Sequence, residues 1–363
     1  MKITLKKTPE QVALVKAMGS NNRVESLEAQ EAFAAFLGPV VAKVLNQAAT
    51  ASRIYTDSPY DADDSPSFPL DLYYNESDNY FTTWSQNTAG GLPSSQDVFA
   101  GQELKMAPYR LDSAVSFLKK YARRGRLDVL ARAVERMAQE VLVKQERNAW
   151  AVILKAVGEA STNGLSHVLN KTGRTNFRLD DLNTLMTRMR RINTSFADGT
   201  PADSFSKGVT DIFISPEVME DIRGFSYNAV NGHDYADPGV NGTDLPESAR
   251  EDIYRNVGAS SIFNVNITEL NEFGIGKKYN TLFDNYVAGA FSAATDDLIV
   301  GVDVSKGAFI RAIAEQDGER STFVAAADDQ FNSRSEKLGF FGSLEEARVC
   351  VDGRAVMAVT LEA

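Results

Sequence analysis

The sequence predicts an α+β chain built around one very long helix. Three observations carry this. Apolar residues step by three or four from Leu127 to Val157 with no Gly or Pro inside. Short β-rich runs, among them "IFNVNI", "LIVGVDV" and "AFIRAI", gather in the second half. Between the N-terminal helical pattern and the long helix, Ile54 to Leu104 holds nine Asp or Glu and no Lys or Arg, punctuated by Pro and Gly.

In chain order, Phe33, Phe36, Leu37, Val40, Val41, Val44, Leu45 and Ala48 recur at helical spacing. Pro39 lacks the N–H that a helix interior uses, so a kink or a second helix is expected there. The acidic stretch follows. In it Phe68, Leu70, Leu72 and Tyr74 alternate with Pro69, Asp71 and Tyr73, the period of a strand, and "NESDN" turns the chain before "YFTTW". Six of the seventeen residues from Phe68 to Trp84 are aromatic. The chain returns to "YRLDSAVSF", where Tyr109, Leu111, Val115 and Phe117 share a strand face. A two-stranded excursion is expected, its ends brought back together. It carries apolar surface that it cannot bury alone.

The long helix, about 46 Å at 1.5 Å per residue, is a strut whose stripe, with Met137, Val141 and Leu142 at its centre, needs the last β elements as cover. Gly158 to Thr175 reads as a polar connection. "LDDLNTLMTRMRRIN" is a helix with Asp180 and Asp181 in its first turn and Arg190 and Arg191 in its last, which suits the helix dipole. "VTDIFISPEVMEDIRGF" is a strand followed by a helix, with Ser215 as N-cap, Pro216 at the first helical position and Gly224 at the end. "NGHDYADPGVNGTD" is a loop. Asp352-Gly353 reads as the turn of a closing hairpin.

The 363 residues carry a formal charge of −11 and one cysteine. The negative charge argues against general nucleic-acid binding. Cys350 excludes an intramolecular disulfide, and its setting between Val349 and Val351 in a strand suits an inert thiol. No apolar run is long enough to span a bilayer, and the N-terminus lacks a signal core, so neither membrane nor secretion is read.

Little catalytic chemistry is legible. His167 and His233 are the only histidines, far apart and in loop-like sequence, where solvated loop residues are the simpler reading. Asp61, Asp63 and Asp64 make an acidic turn without the glycine and distal glutamate of a calcium loop. Asp234, Asp237 and Asp244 sit among turn formers. Phosphate-loop, dinucleotide-fold, nucleophile-elbow and zinc-protease motifs are missing. No catalytic site, cofactor or metal is expected.

One charge pattern stands out. From Lys119 to Arg136, seven Lys or Arg face only Asp128 and Glu135, at the base of the strut. A solvated face is one reading. The other pairs this segment with the acidic excursion, and because the two are adjacent in one chain, a neighbouring copy supplies the match. The contact residues expected on the excursion are Phe68, Leu70, Leu72, Tyr74, Tyr80, Phe81 and Trp84. Their counterparts are Lys119, Lys120, Arg123, Arg124 and Arg126.

In this order of elements the sequence resembles the major capsid proteins of tailed bacteriophages, the Hong Kong 97-like fold. The resemblance rests on an N-terminal arm (1–53), an extended β loop (54–117) and a spine helix with peripheral domain (118–175). An axial domain (176–330) with "TDIFISPEVMEDIRGF" and "GASSIFNVNITELNEFG" follows, then a return of the chain to the peripheral sheet (331–363). It implies self-assembly of hexamers and pentamers into an icosahedral shell around double-stranded DNA, without sequence-specific contact, in a virion built in the host cytoplasm. In that family the extended loop lies across an adjacent subunit. It also implies partners in a portal and a decoration protein. Some members crosslink through a Lys in the loop, whereas here the first Lys after Lys43 is Lys105, at the loop's base. About fifty residues precede the loop, too few for a fused scaffolding domain. A separate scaffolding protein is then implied, unless a longer precursor is trimmed. The alternatives are an encapsulin-type nanocompartment shell, which shares the fold and encloses enzymes, and a cytosolic hydrolase or other enzyme whose carboxylates meet only in space.

Overall fold

The computed structural model describes residues 8–48, 50–61, 65–69, 103–162, 165–192, 208–225, 247–255, 261–287, 289, 291–316, 319–320, 323, 326–328 and 336–362. In chain order the strands are β1 (Thr56–Asp61), β2 (Ser67–Pro69), β3 (Glu103–Lys105), β4 (Tyr109–Leu118), β5 (Ser161–Thr162), β6 (Leu165–Ser166), β7 (Val168–Thr172) and β8 (Asp211–Ile214). They continue with β9 (Ser261–Ile262), β10 (Val265–Glu269), β11 (Asp297–Val302), β12 (Phe309–Gln316), β13 (Glu319–Arg320), β14 (Ala326–Asp328), β15 (Lys337–Cys350) and β16 (Val356–Glu362). The chain forms two compact units, each assembled from three separate stretches. The first takes 1–67, 105–149 and 311–348, the second 68–104, 150–310 and 349–363. Five consecutive segments, as laid out from the sequence, are a different kind of partition.

In the first unit β15 is the central strand. It pairs antiparallel with β4 over ten positions, from Lys337 opposite Leu118 to Glu346 opposite Tyr109. It also pairs with β12 and β14, and β1 lies on β12. The long helix, Leu127–Glu159, is unbroken. Its Leu127, Leu130, Val134, Met137, Ala138 and Val141 are buried in one core with Leu338, Phe340 and Leu344 of β15. Leu142 only borders that core, so the stripe is centred about one position earlier than its apolar pattern suggests. Val15 and Met18 of the helix Pro9–Met18, with Ala29, Phe33 and Ala34 of the helix Arg23–Ala48, complete the same core. Phe340 stands 5.9 Å from Phe33 and 6.0 Å from Phe117, ring centre to ring centre. Gln30 Nε2 donates to the Gly339 carbonyl at 2.6 Å.

The second unit is a mixed sheet in the order β7-β16-β11-β8-β10-β9. β16 is antiparallel to β11 and parallel to β7, and β8 is antiparallel to β11 and parallel to β10. The parallel pair β8 and β10 needs a crossover, and the helices Pro216–Gly224 and Glu247–Arg255 lie in it. Helix Leu179–Ile192 packs Leu182, Leu185 and Met189 into the core beneath Ile212, Ile299 and Val359. Trp150, fully buried, is ringed by Phe213 at 4.8 Å, Phe273 at 5.2 Å and Tyr279 at 5.6 Å.

Four local readings change. The helix Arg23–Ala48 runs through Pro39 as one element, so the missing N–H starts no second helix. "IFNVNI" is a tight hairpin: Phe263 (φ 51°) and Asn264 (φ 65°) form the two-residue turn between β9 and β10, the left-handed pair that a type I′ turn demands. Asp352-Gly353 is no hairpin turn, because β15 and β16 belong to different sheets. Gly353 has no positive φ. Instead the Asp352 carboxylate accepts from Arg354 N at 2.9 Å and opens a short 3₁₀ turn. The connection after Gly158 contains β5 and β6, which pair with each other, and β7, which is recruited by pairing with β16 rather than by its own propensity.

Candidate functional site

The roots of the acidic excursion come together as expected. β2 pairs with β3, and Met106 N donates to the Pro66 carbonyl at 3.0 Å. Phe68 is half-buried in β2. Leu70, Leu72, Tyr74, Tyr80, Phe81 and Trp84 lie outside the described residues, as do Asp63, Asp64, His233 and the Asp234 to Asp244 turn.

Within the first unit the roots converge on a single carboxylate. Glu346, fully buried, accepts from Tyr109 Oη at 2.6 Å, Arg311 Nε at 2.7 Å, Arg348 Nε at 3.1 Å and Gln145 Nε2 at 3.3 Å. Arg311 also reaches Asp57 of β1 at 3.7 Å. The Arg348 guanidinium lies 4.9 Å over the ring of Tyr55, whose hydroxyl donates to the Ala149 carbonyl of the long helix at 2.8 Å. Next to this node Tyr60 Oη donates to Glu345 at 3.2 Å. Burial alone raises the Glu346 carboxyl, but the guanidinium groups of Arg348 and Arg311 outweigh it and hold the group ionised, below its ordinary range. Burial, and then Glu346 itself, push the Tyr109 phenol up. Tyr60 rises to about 12 by burial and the charge of Glu345. The Glu346 carboxylate thus stays ionised and the Tyr109 and Tyr60 phenols protonated near neutrality, a fixed arrangement of donors around one acceptor.

The basic segment divides into two sets. Lys119 is buried, and its backbone N donates to the Glu336 carbonyl at 2.8 Å. Burial and then Arg123 lower its ammonium's pKa. Arg123 reaches back to the N-terminal helix: Nε donates to the Gly19 carbonyl at 3.0 Å and Nη2 to Asn21 Oδ1 at 2.6 Å. Gly19 sits so close to this turn that a Cβ there would lie 2.6 Å from the Arg123 backbone nitrogen. These two cations serve the fold. Lys120, Arg124, Arg126, Arg132 and Arg136 are exposed, and among the described residues no carboxylate comes within ion-pair distance of them. Lys120 rests beside the Tyr121 ring at 5.2 Å. Among the described residues, a basic face therefore persists along the start of the strut.

Elsewhere the ionisable groups are committed to structure. His167 is buried, not solvated, its Nδ1 3.0 Å from the Val356 carbonyl, and burial lowers its pKa. The tertiary pairing of β7 with β16 buries it, which local sequence does not encode. Burial, and then Asp352, push the Cys350 thiol up to about 12, which suits the inert reading. Asp352 is ion-paired to Arg354 at 2.9 Å and Lys306 at 3.2 Å. Asp297 is buried at the start of β11 and accepts from the Ser215 hydroxyl and from Leu298 N at 2.7 Å. Burial raises its pKa, partly offset by those hydrogen bonds. Asp61 is exposed in β1. Among the described residues no group of three or more His, Cys, Asp or Glu is placed to hold a metal, and no helix is long and apolar enough to cross a membrane.

No family model and no curated protein matches the sequence. Solved structures do match. The capsid structure of the cyanophage P-SCSP1u superposes with a TM-score of 0.52 at 12% identity, over 86% of this chain and 88% of that one. The capsid of an empty GTA particle gives 0.51 at 11% identity, over 87% and 90%. The SrpI encapsulin complex from Synechococcus elongatus PCC 7942 gives 0.47 at 10% identity, over 85% of each chain. The chain has the α+β fold of the two capsid subunits along nearly its whole length.

Proposed function

We propose that the chain is the major capsid protein of a tailed bacteriophage, many copies of which close into an icosahedral shell around double-stranded DNA. The observation that carries this is the likeness, over 86% of the chain, to a cyanophage capsid subunit. The arrangement of the excursion supports it: both roots are clamped in the first unit, while the exposed basic face finds no partner carboxylate among the described residues. A neighbouring subunit supplies one. The segment from Phe68 to Trp84 crosses to the basic face of the next copy, where its aromatics bury apolar area and its carboxylates approach Lys120, Arg124, Arg126, Arg132 and Arg136.

Apolar burial dominates the energy of such a contact. A fully buried aromatic or aliphatic side chain contributes roughly 1.5–3 kcal/mol, an exposed ion pair about 0–1 kcal/mol. The charges set orientation and encounter rate and weaken as salt rises. Repetition around a closed shell turns a modest contact into a strong assembly. The reading includes a separate scaffolding protein, a portal, a decoration protein, and assembly in the host cytoplasm before the protein resides in the virion. It assigns the chain no catalytic role.

Electron microscopy of the purified protein, alone and with its candidate scaffolding protein, tests the proposal. Closed shells or capsomers support it, and nuclease-protected DNA inside particles from infected cells separates it from an enzyme-filled compartment. A protein that stays a small monomer in both preparations refutes it. Arg124→Glu with Arg126→Glu should slow assembly most at low salt. Arg123 is left intact because it holds Gly19 and Asn21.

A further inference from the structure

We propose that Glu346 is a positioning residue for the excursion: it locks the register of both roots and so fixes where the excursion starts and ends on the first unit. This rests on the assembly reading above. A buried charge cluster is weak evidence for stability, since well-packed apolar side chains often do as well, and its best-attested use is to specify register. The register of the returning root, β4, needs specifying. β4 alternates a half-buried with an exposed face along its length, so a slip of two residues against β15 returns every side chain to its own face. Ser113, Ala114 and Ser116 in the middle of the strand resist such a slip poorly. It displaces the returning root by about 7 Å, at about 3.4 Å per residue.

The Tyr109 hydroxyl, bonded to Glu346 directly across the ladder, is the contact a slip breaks. The outgoing root, around β1, is tied to the same carboxylate at one remove: Asp57 through Arg311, and the Tyr55 ring beneath Arg348. Both rails of the excursion are thereby referenced to one atom group, which in turn is anchored by Gln145 to the strut. A clamp of this kind costs little when the subunit is alone and matters when the excursion has to land on a neighbour.

Tyr109→Phe combined with Tyr55→Leu frees the β4 root from Glu346 and leaves the β1 root only the Asp57–Arg311 pair, while Glu346 stays paired with Arg311 and Arg348. Glu346→Gln is the sharper variant, but it strands two guanidinium groups and need not fold; the tyrosine pair then decides. Two measurements on the full chain are read. Amide hydrogen exchange in the unassembled subunit should quicken about tenfold in β1 and β4, with Leu130 to Val141 of the strut unchanged. Assembly, followed by light scattering, should slow at least about tenfold relative to Leu185→Val, a control in the second unit chosen to lower Tm equally. Unchanged exchange in β1 and β4 overturns the proposal. So does an assembly rate that follows Tm alone. A wild-type chain that never assembles defeats the capsid reading instead, and the exchange measurement still decides whether the clamp exists.

Discussion

Ser215→Ala removes two interactions with one atom. Ser215 Oγ accepts from Val218 N at 3.2 Å, capping the helix Pro216–Gly224, and its proton goes to the buried Asp297 carboxylate. Losing the cap costs about 1 kcal/mol, and losing a hydrogen bond to a buried charged acceptor costs about 1.5–3 kcal/mol. The expected loss near neutral pH is therefore about 2.5–4 kcal/mol. The second part depends on pH. Burial already raises the folded-state pKa of Asp297, and the serine hydroxyl is one of the groups holding it down. A carboxylate with a raised folded pKa destabilises the fold while ionised, and that cost is relieved as pH falls through the folded pKa. In the variant the folded pKa rises further, so relief begins at higher pH and the deficit shrinks toward the cap's share of about 1 kcal/mol. Urea melts across the acid range report this. In a Trp84→Phe background, Trp150, packed on Phe213 two residues before Ser215, is the sole indole reporter. Asp297→Asn completes a double-mutant cycle. A loss below about 1 kcal/mol at neutral pH, or one that does not change with pH, refutes the coupling.

The first unit should respond to acid in the opposite sense. The Glu346 carboxyl is held below its ordinary range by Arg348 and Arg311, so its contribution is present above the unfolded-state pKa near about 4.3 and is lost as pH falls through the folded value. Corrected for the intrinsic pH dependence of amide exchange, the opening of β4 should thus be flat from neutral pH to about pH 5 and increase below about pH 4, and an increase beginning near pH 6 contradicts the clamp. Cys350, with its thiol pushed up to about 12, should resist iodoacetamide at pH 8 in the native protein and react fully in denaturant. Rapid alkylation of the folded chain refutes the burial argument.

The strut and the strand–helix pair around Ser215 were legible because each is specified locally. A 33-residue helix with a continuous stripe, or a Ser-Pro start after a β-rich run, needs no distant partner to be recognised. The failures share the opposite cause. Asp352-Gly353 has the composition of a hairpin turn, but the ion pairs of Asp352 with Lys306 and Arg354 give the aspartate another task. His167 looked solvated because nothing nearby shows that β16 lies against β7. The basic segment was visible as charge, yet only the fold separates Lys119 and Arg123, bound into the subunit, from Lys120, Arg124 and Arg126, which face outward. The Glu346 node was invisible, since its partners are scattered from Tyr55 to Arg348. The charged run Glu345-Glu346-Ala347-Arg348 was its one trace.

The central strand of the first unit and the strand joining β11 to β7 in the second both come from the last stretch of chain, β15 and β16. Contacts between residues hundreds of positions apart, such as Gln30 with Gly339, close late and slowly. A nascent subunit on the ribosome therefore has two open cores until residues 337–362 emerge. A product terminated before that point has neither sheet completed. On the proposed capsid reading, the order of synthesis itself keeps incomplete subunits out of the shell.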